Sequence, residues 1–141
     1  MDGTTSVDSA EAGARFVVSM DGTGRFFNSE GEEGSTSGPD GAGIGNKRVT
    51  RAKWCAYTAV ADNKPVTIAL FNQPKCIYPC YCLHIHPEFA FLGATLALDV
   101  KPIELQPGVP LDLRFGVALW DGEVDRARVE AMYQRWVELE P

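Results

Sequence analysis

Apolar positions repeat by two over most of this chain and take a helical spacing only near its end. Arg15-Phe16-Val17-Val18-Ser19 and Arg25-Phe26-Phe27-Asn28 are short β-rich runs. They flank Met20-Asp21-Gly22-Thr23-Gly24, a Gly-containing loop of the kind that closes a hairpin. Residues 52–58 predict a strand with Lys53 and Trp54 on opposite faces, Asp62-Asn63-Lys64-Pro65 a turn, and residues 66–71 a largely apolar strand. Residues 80–86 alternate, and residues 89–98 are apolar with Gly93 among them. Ile103-Glu104-Leu105 and residues 111–117 alternate on either side of Pro107-Gly108. Pro sets φ and Gly supplies the positive φ of a type II turn, so the pattern predicts a hairpin there.

The period then changes. Val129, Met132, Tyr133, Trp136 and Val137 form one apolar stripe, which predicts a helix over 123–138 with Asp121-Gly122 as its cap. Glu123 and Asp125 would lie in its first turn, where the helix dipole favours anions. Such a helix covers a sheet face or edge, or else binds a partner. The expected fold is all-β, a mostly antiparallel β-sandwich with one C-terminal α-helix. Residues 1–13 are small and polar without a period and read as a mobile tail. Residues 14–141 read as one domain, interrupted by a flexible Gly/Ser/Glu-rich loop over 29–46.

Composition narrows the function classes. A chain of 141 residues suits one domain. Its 13 basic and 19 acidic residues give a formal charge of −6, which argues against nucleic acid as a partner. No apolar run approaches the ~20 residues of a membrane helix. The start lacks the charged and apolar regions of a signal peptide, so the expected compartment is the cytoplasm and Cys55, Cys76, Cys80 and Cys82 are expected as thiols.

Candidate chemistry centres on Cys80-Tyr81-Cys82-Leu83-His84-Ile85-His86, which holds both histidines of the chain. On a strand Cys80, Cys82, His84 and His86 share one face. Thiols and imidazoles are ligands for zinc or iron, but four such positions span about 20 Å of strand. One ion therefore cannot take all four. His84 and His86 supply two ligands, with Glu88 as third ligand or general base. The other reading is a strand lining a pocket or facing the core. A Cys82–His84 nucleophile pair has suitable chemistry but parallel side chains. No nucleophile elbow, phosphate loop or dinucleotide fingerprint occurs. Lys47, Arg48, Arg51 and Lys53 form a basic cluster that suits an anion or, more simply, a solvated strand edge. Trp54, Tyr57 and Trp120 are aromatic candidates for a sugar platform or for the core.

Several segments together resemble a known family. Asn28-Ser29-Glu30-Gly31, then Arg51-Ala52-Lys53-Trp54 with Tyr57, are similar to the N-S-E-G and R-A-K-W segments of the bacterial methane oxygenase PmoA-like family, a domain of unknown function. Asn72-Gln73-Pro74, His84-Ile85-His86, Pro102-Ile103-Glu104-Leu105-Gln106-Pro107-Gly108 and Trp120-Asp121-Gly122 follow in that family's order. The resemblance covers roughly 26–137 and the C-terminal half of longer chains. It implies a β-sandwich whose apolar face or strand edge awaits a partner copy or a missing N-terminal half. The family's polar, Arg-bearing loop is replaced here by Lys75-Cys76-Ile77-Tyr78-Pro79-Cys80-Tyr81. No spanning helix supports membrane methane oxidation.

Three functions follow as expectations. One is binding of a small-molecule or sugar ligand at a polar sheet face by His84, His86, Asn72, Gln73 and Trp54. The second is a metal-dependent enzyme at His84, His86 and Glu88, and the third an assembly subunit or homodimer completed by another chain.

Overall fold

In a computed structural model, residues 2–8, 11–18, 24–35, 49–74, 81–86, 89–96, 98 and 101–139 are described. The elements are β1 (Asp2–Asp8), β2 (Glu11–Val18), β3 (Arg25–Asn28), β4 (Glu33–Ser35), β5 (Val49–Arg51), β6 (Trp54–Ala61), β7 (Lys64–Asn72), β8 (Tyr81–His86), β9 (Phe89–Thr95), β10 (Phe115–Asp121) and α1 (Arg126–Glu138). They build two five-stranded sheets, ordered β1-β2-β9-β8-β5 and β10-β7-β6-β3-β4. Every pairing is antiparallel. The all-β expectation with one C-terminal helix is met.

Strict alternation along β6 and β7 makes three layers. Cys55, Tyr57, Ile68 and Leu70 join Phe26, Leu92 and Ala94 in a core between the sheets. Their neighbours Trp54, Ala56, Ala69 and Phe71 point the other way and meet Phe27, Val129 and Tyr133 under α1. Both strands are therefore apolar on both faces, as central strands between two covering layers must be. Aromatic edges lock the second core: Phe27 meets Trp54 at 5.9 Å and Phe71 meets Tyr133 at 5.6 Å between centroids. Trp54 and Tyr57 thus lie in different cores, with Trp120 beside the first of them, and make no common platform. Cys55 is buried and forms no disulfide.

Local signals in turns hold. Asp62 (φ 50°) and Asn63 (φ 62°) take the two left-handed positions between Ala61 and Lys64, the turn type that closes a two-residue hairpin. Gly108 (φ 77°) completes the Pro-Gly turn, where the Val109 amide donates to the Gln106 carbonyl at 3.1 Å. The predicted hairpin around it does not form: residues 102–105 and 109–114 are irregular, and the strand starts only at Phe115. Phe115 pairs with Asn72 rather than across the Pro-Gly turn, so β10 belongs to β7.

Four other expectations are corrected. The runs at 15–19 and 25–28 do not pair: β2 joins β1 and β9, whereas β3 joins β4 and β6 in the opposite sheet. Phe26 and Phe27 are both buried, one in each core, which fits β3 to an interior position rather than to a local hairpin. Residues 2–8 form strand β1 within the stretch read as a tail, and β4 falls within the stretch read as a loop over 29–46. The helix starts at Arg126 with Asp125 as its N-cap, its carboxylate accepting from the Arg128 amide at 2.9 Å. Gly122 to Val124 are held out of it by Thr67, whose hydroxyl donates to the Gly122 carbonyl at 2.9 Å and accepts from the Val124 amide at 3.3 Å.

Candidate functional site

The backbone of the histidine segment is a strand from Tyr81 to His86 between β5 and β9, as its alternation predicts. Cys82 pairs with Ala94 and His84 with Leu92, and both partners are buried in the inter-sheet core. From His84 to His86 the partner moves three residues, from Leu92 to Phe89, which places the extra residue of an irregularity on β9 and leaves β8 its step of two. The side chains of His84 and His86, and Glu88 altogether, lie outside the described residues. So do Cys76, Cys80, Lys47 and Arg48. Among the described residues no group of three His, Cys, Asp or Glu is placed to hold a metal ion.

Trp54, Asn72 and Gln73 come together where β6 starts and β7 ends. Trp54 is fully buried and pairs with Phe71; its indole Nε1 donates to Glu130 Oε2 at 2.6 Å. Asn72 is buried too, and its Nδ2 donates to the Ala52 carbonyl at 2.9 Å while its backbone amide reaches the Lys53 carbonyl at 2.8 Å. Gln73 is half-buried, with Nε2 at 3.4 Å from the Asp112 carbonyl. These contacts serve the fold at one end of the second sheet.

The Asn28-Ser29-Glu30-Gly31 and Arg51-Ala52-Lys53-Trp54 segments meet at this same end. Asn28 Oδ1 accepts from the amides of Glu30 (2.9 Å) and Glu32 (3.1 Å), shaping the tight turn into β4. Ser29 Oγ accepts from the Lys53 amide at 2.9 Å, and the Ser29 amide donates to the Trp54 carbonyl at 3.1 Å. From α1, Arg126 Nε donates to the Asn28 carbonyl at 2.9 Å and Glu130 Oε1 accepts from Lys53 Nζ at 3.0 Å. Burial pushes the Glu130 carboxyl up, but the hydrogen bonds from Trp54, Gln134 and Lys53 together with the Lys53 charge outweigh it and hold the group below its ordinary value. Arg126 and Glu130 are not singled out by the sequence; their partners lie up to 98 residues away, and no local period marks them.

The other notable surface is β10, the last strand of the second sheet, which pairs with β7 alone among the described residues. Gly116, Ala118 and Trp120 lie on its helix side, where a Cβ on Gly116 would stand 2.6 Å from Trp136. Val117 and Leu119 alternate onto the inter-sheet side. Their partners on β7, Leu70 and Ile68, are 0% and 1% exposed, yet Val117 is 45% and Leu119 58% exposed. The core that covers β7 stops one strand short. Between Phe115 and Trp120 the strand has no charge, proline or other device that blunts an edge. Its counterpart β5, at the edge of the first sheet, ends in exposed Arg51.

Among the described residues, no helix is long and apolar enough to cross a membrane. Comparison with curated proteins and with solved structures returns no match to this chain. A family profile does match, over residues 6–134, a span that takes in all nine strands from β2 onward and most of α1. The chain belongs to the family of unknown function DUF6807.

Proposed function

We propose that this chain is a β-sandwich module that works by assembly, accepting an extended apolar strand at the edge of β10. The observation that supports it is the contrast between exposed Val117 and Leu119 and their buried register partners Leu70 and Ile68. A paired strand would satisfy the outward-facing amides and carbonyls of β10 and carry the inter-sheet core one strand further. The test is the stability of Val117→Lys and Leu119→Lys at dilute, monomeric concentration. Exposed positions tolerate lysine within about 0.5 kcal/mol. A loss of about 2 kcal/mol or more in either variant means that the face is already covered within the chain, and the reading fails.

A second reading keeps the histidine strand as a ligand site for a small molecule or sugar, or as a zinc or iron site with His84, His86 and Glu88. It is supported by the unbroken step of two along β8 and by the irregularity beside it on β9, since such irregularities gather next to binding sites. Metal analysis of untagged protein tests it. Stoichiometric zinc or iron that is absent from a His84→Ala/His86→Ala double variant supports the site; equal metal content in both proteins refutes it. The likeness to the PmoA-like family belongs with these proposals, supported by the order of the N-S-E-G, R-A-K-W and later segments.

A further inference from the structure

Resting on the reading of β10 as a strand acceptor, we infer that the strand it accepts is β10 of a second copy of this chain. The two strands would run antiparallel about a two-fold axis through Ala118, normal to the sheet. Directly opposed residues share a face in such a pair. Val117 of one copy then meets Leu119 of the other, twice, and the four side chains extend the inter-sheet core past Leu70 and Ile68 of each copy. On the helix side Gly116 meets Trp120, so the residue without a side chain faces the largest one. Both α1 helices stay on one face of a continuous ten-stranded sheet, because an axis normal to the sheet exchanges its edges and keeps its faces.

The match of exposed Val117 with exposed Leu119 along one self-complementary strand favours a second copy as occupant, and charge sets the place and direction of contact. The chain carries a formal −6, so two copies repel over most of their surfaces. From Phe115 to Trp120 the strand has no ionisable side chain. Its one carboxylate, Asp121, falls at opposite ends of the antiparallel pair, opposed to Phe115 of the other copy. Parallel pairing would set the two Asp121 groups side by side. The interface is isologous, so it closes as a dimer and does not propagate into fibres.

Sedimentation equilibrium of the full chain tests the inference. The wild type is expected to pass reversibly from monomer to dimer as concentration rises to about 100 µM, and Leu119→Lys to move that midpoint at least about tenfold upward. Ala118→Cys fixes the register: opposed Cα atoms at about 4.5–5.5 Å lie within disulfide reach, so oxidation should yield a covalent dimer that reductant dissolves. A wild type that stays monomeric overturns the second copy as occupant. If the lysine variants also melt like the wild type, the acceptor reading survives, with a strand from another protein as its occupant. A dimer indifferent to Leu119→Lys, or one that Ala118→Cys does not crosslink, overturns it equally. Destabilisation of the lysine variants as monomers removes the acceptor reading itself.

Discussion

Replacing Glu130 with alanine should loosen α1 from the sheet, and the structure sets the size of the effect. Glu130 takes three hydrogen bonds: from Trp54 Nε1 at 2.6 Å, Gln134 Nε2 at 2.8 Å and Lys53 Nζ at 3.0 Å. The bond from the fully buried indole to a carboxylate is worth about 1.5–3 kcal/mol, and its loss leaves a polar N–H in a largely apolar layer. Lys53 and Glu130 are 48% and 33% exposed, so their ion pair adds only about 0–1 kcal/mol. Glu130→Ala should therefore cost about 2–3 kcal/mol in urea unfolding followed by circular dichroism, or roughly 6–12 °C in melting temperature for a domain of this size. A cycle with Trp54→Phe isolates the indole bond and should show a coupling of about 1.5 kcal/mol. The pH dependence has a fixed sign. The carboxyl is held below its ordinary value in the folded chain, so its contribution is complete above that value and fades as pH falls through the lower folded one. Glu130→Gln should remove this part of the acid dependence while keeping an acceptor for Trp54. Zero coupling in the cycle, or a loss under about 0.5 kcal/mol in Glu130→Ala, would refute the clamp.

Other outcomes follow from the same geometry. Asn28→Ala removes the acceptor of the Glu30 and Glu32 amides at 2.9 and 3.1 Å and should cost about 1–3 kcal/mol by denaturant titration. Gly116→Ala puts a methyl 2.6 Å from Trp136 and 3.0 Å from Phe71, so a loss of about 1–3 kcal/mol should come with a shifted tryptophan fluorescence maximum. Thr67→Val deletes the hydroxyl that holds Gly122 and Val124 at 2.9 and 3.3 Å, and amide exchange should rise at Val124 ahead of the helix interior.

What the sequence shows of this fold is what local chemistry decides. Asp62, Asn63 and Gly108 take their left-handed positions because Asp, Asn and Gly tolerate them. The stripe from Val129 to Val137 packs under α1 because a 3.6-residue period leaves one apolar face. Pairing between distant segments is where the pattern falls silent. The runs at 15–18 and 25–28 look like one hairpin but face Leu92 and Tyr57 across different sheets. Residues 103–105 alternate as a strand would, yet no partner among the described residues pairs with them. The N-cap is another such case: Asp121-Gly122 has the right chemistry, but Thr67, 55 residues away from Gly122, decides that the helix waits for Asp125. Trp54 and Asn72 stand out in the sequence as ligand candidates, whereas Glu130 and Ala52, which bond to them, do not.

Backbone amide exchange across β10, measured at dilute and at high protein concentration, tests the central claim most directly. At low concentration the amides that β7 satisfies should stay protected while the alternate, outward amides between Phe115 and Asp121 exchange rapidly; concentration should then slow the outward set. Uniform protection of all of them in the dilute chain would contradict an open edge.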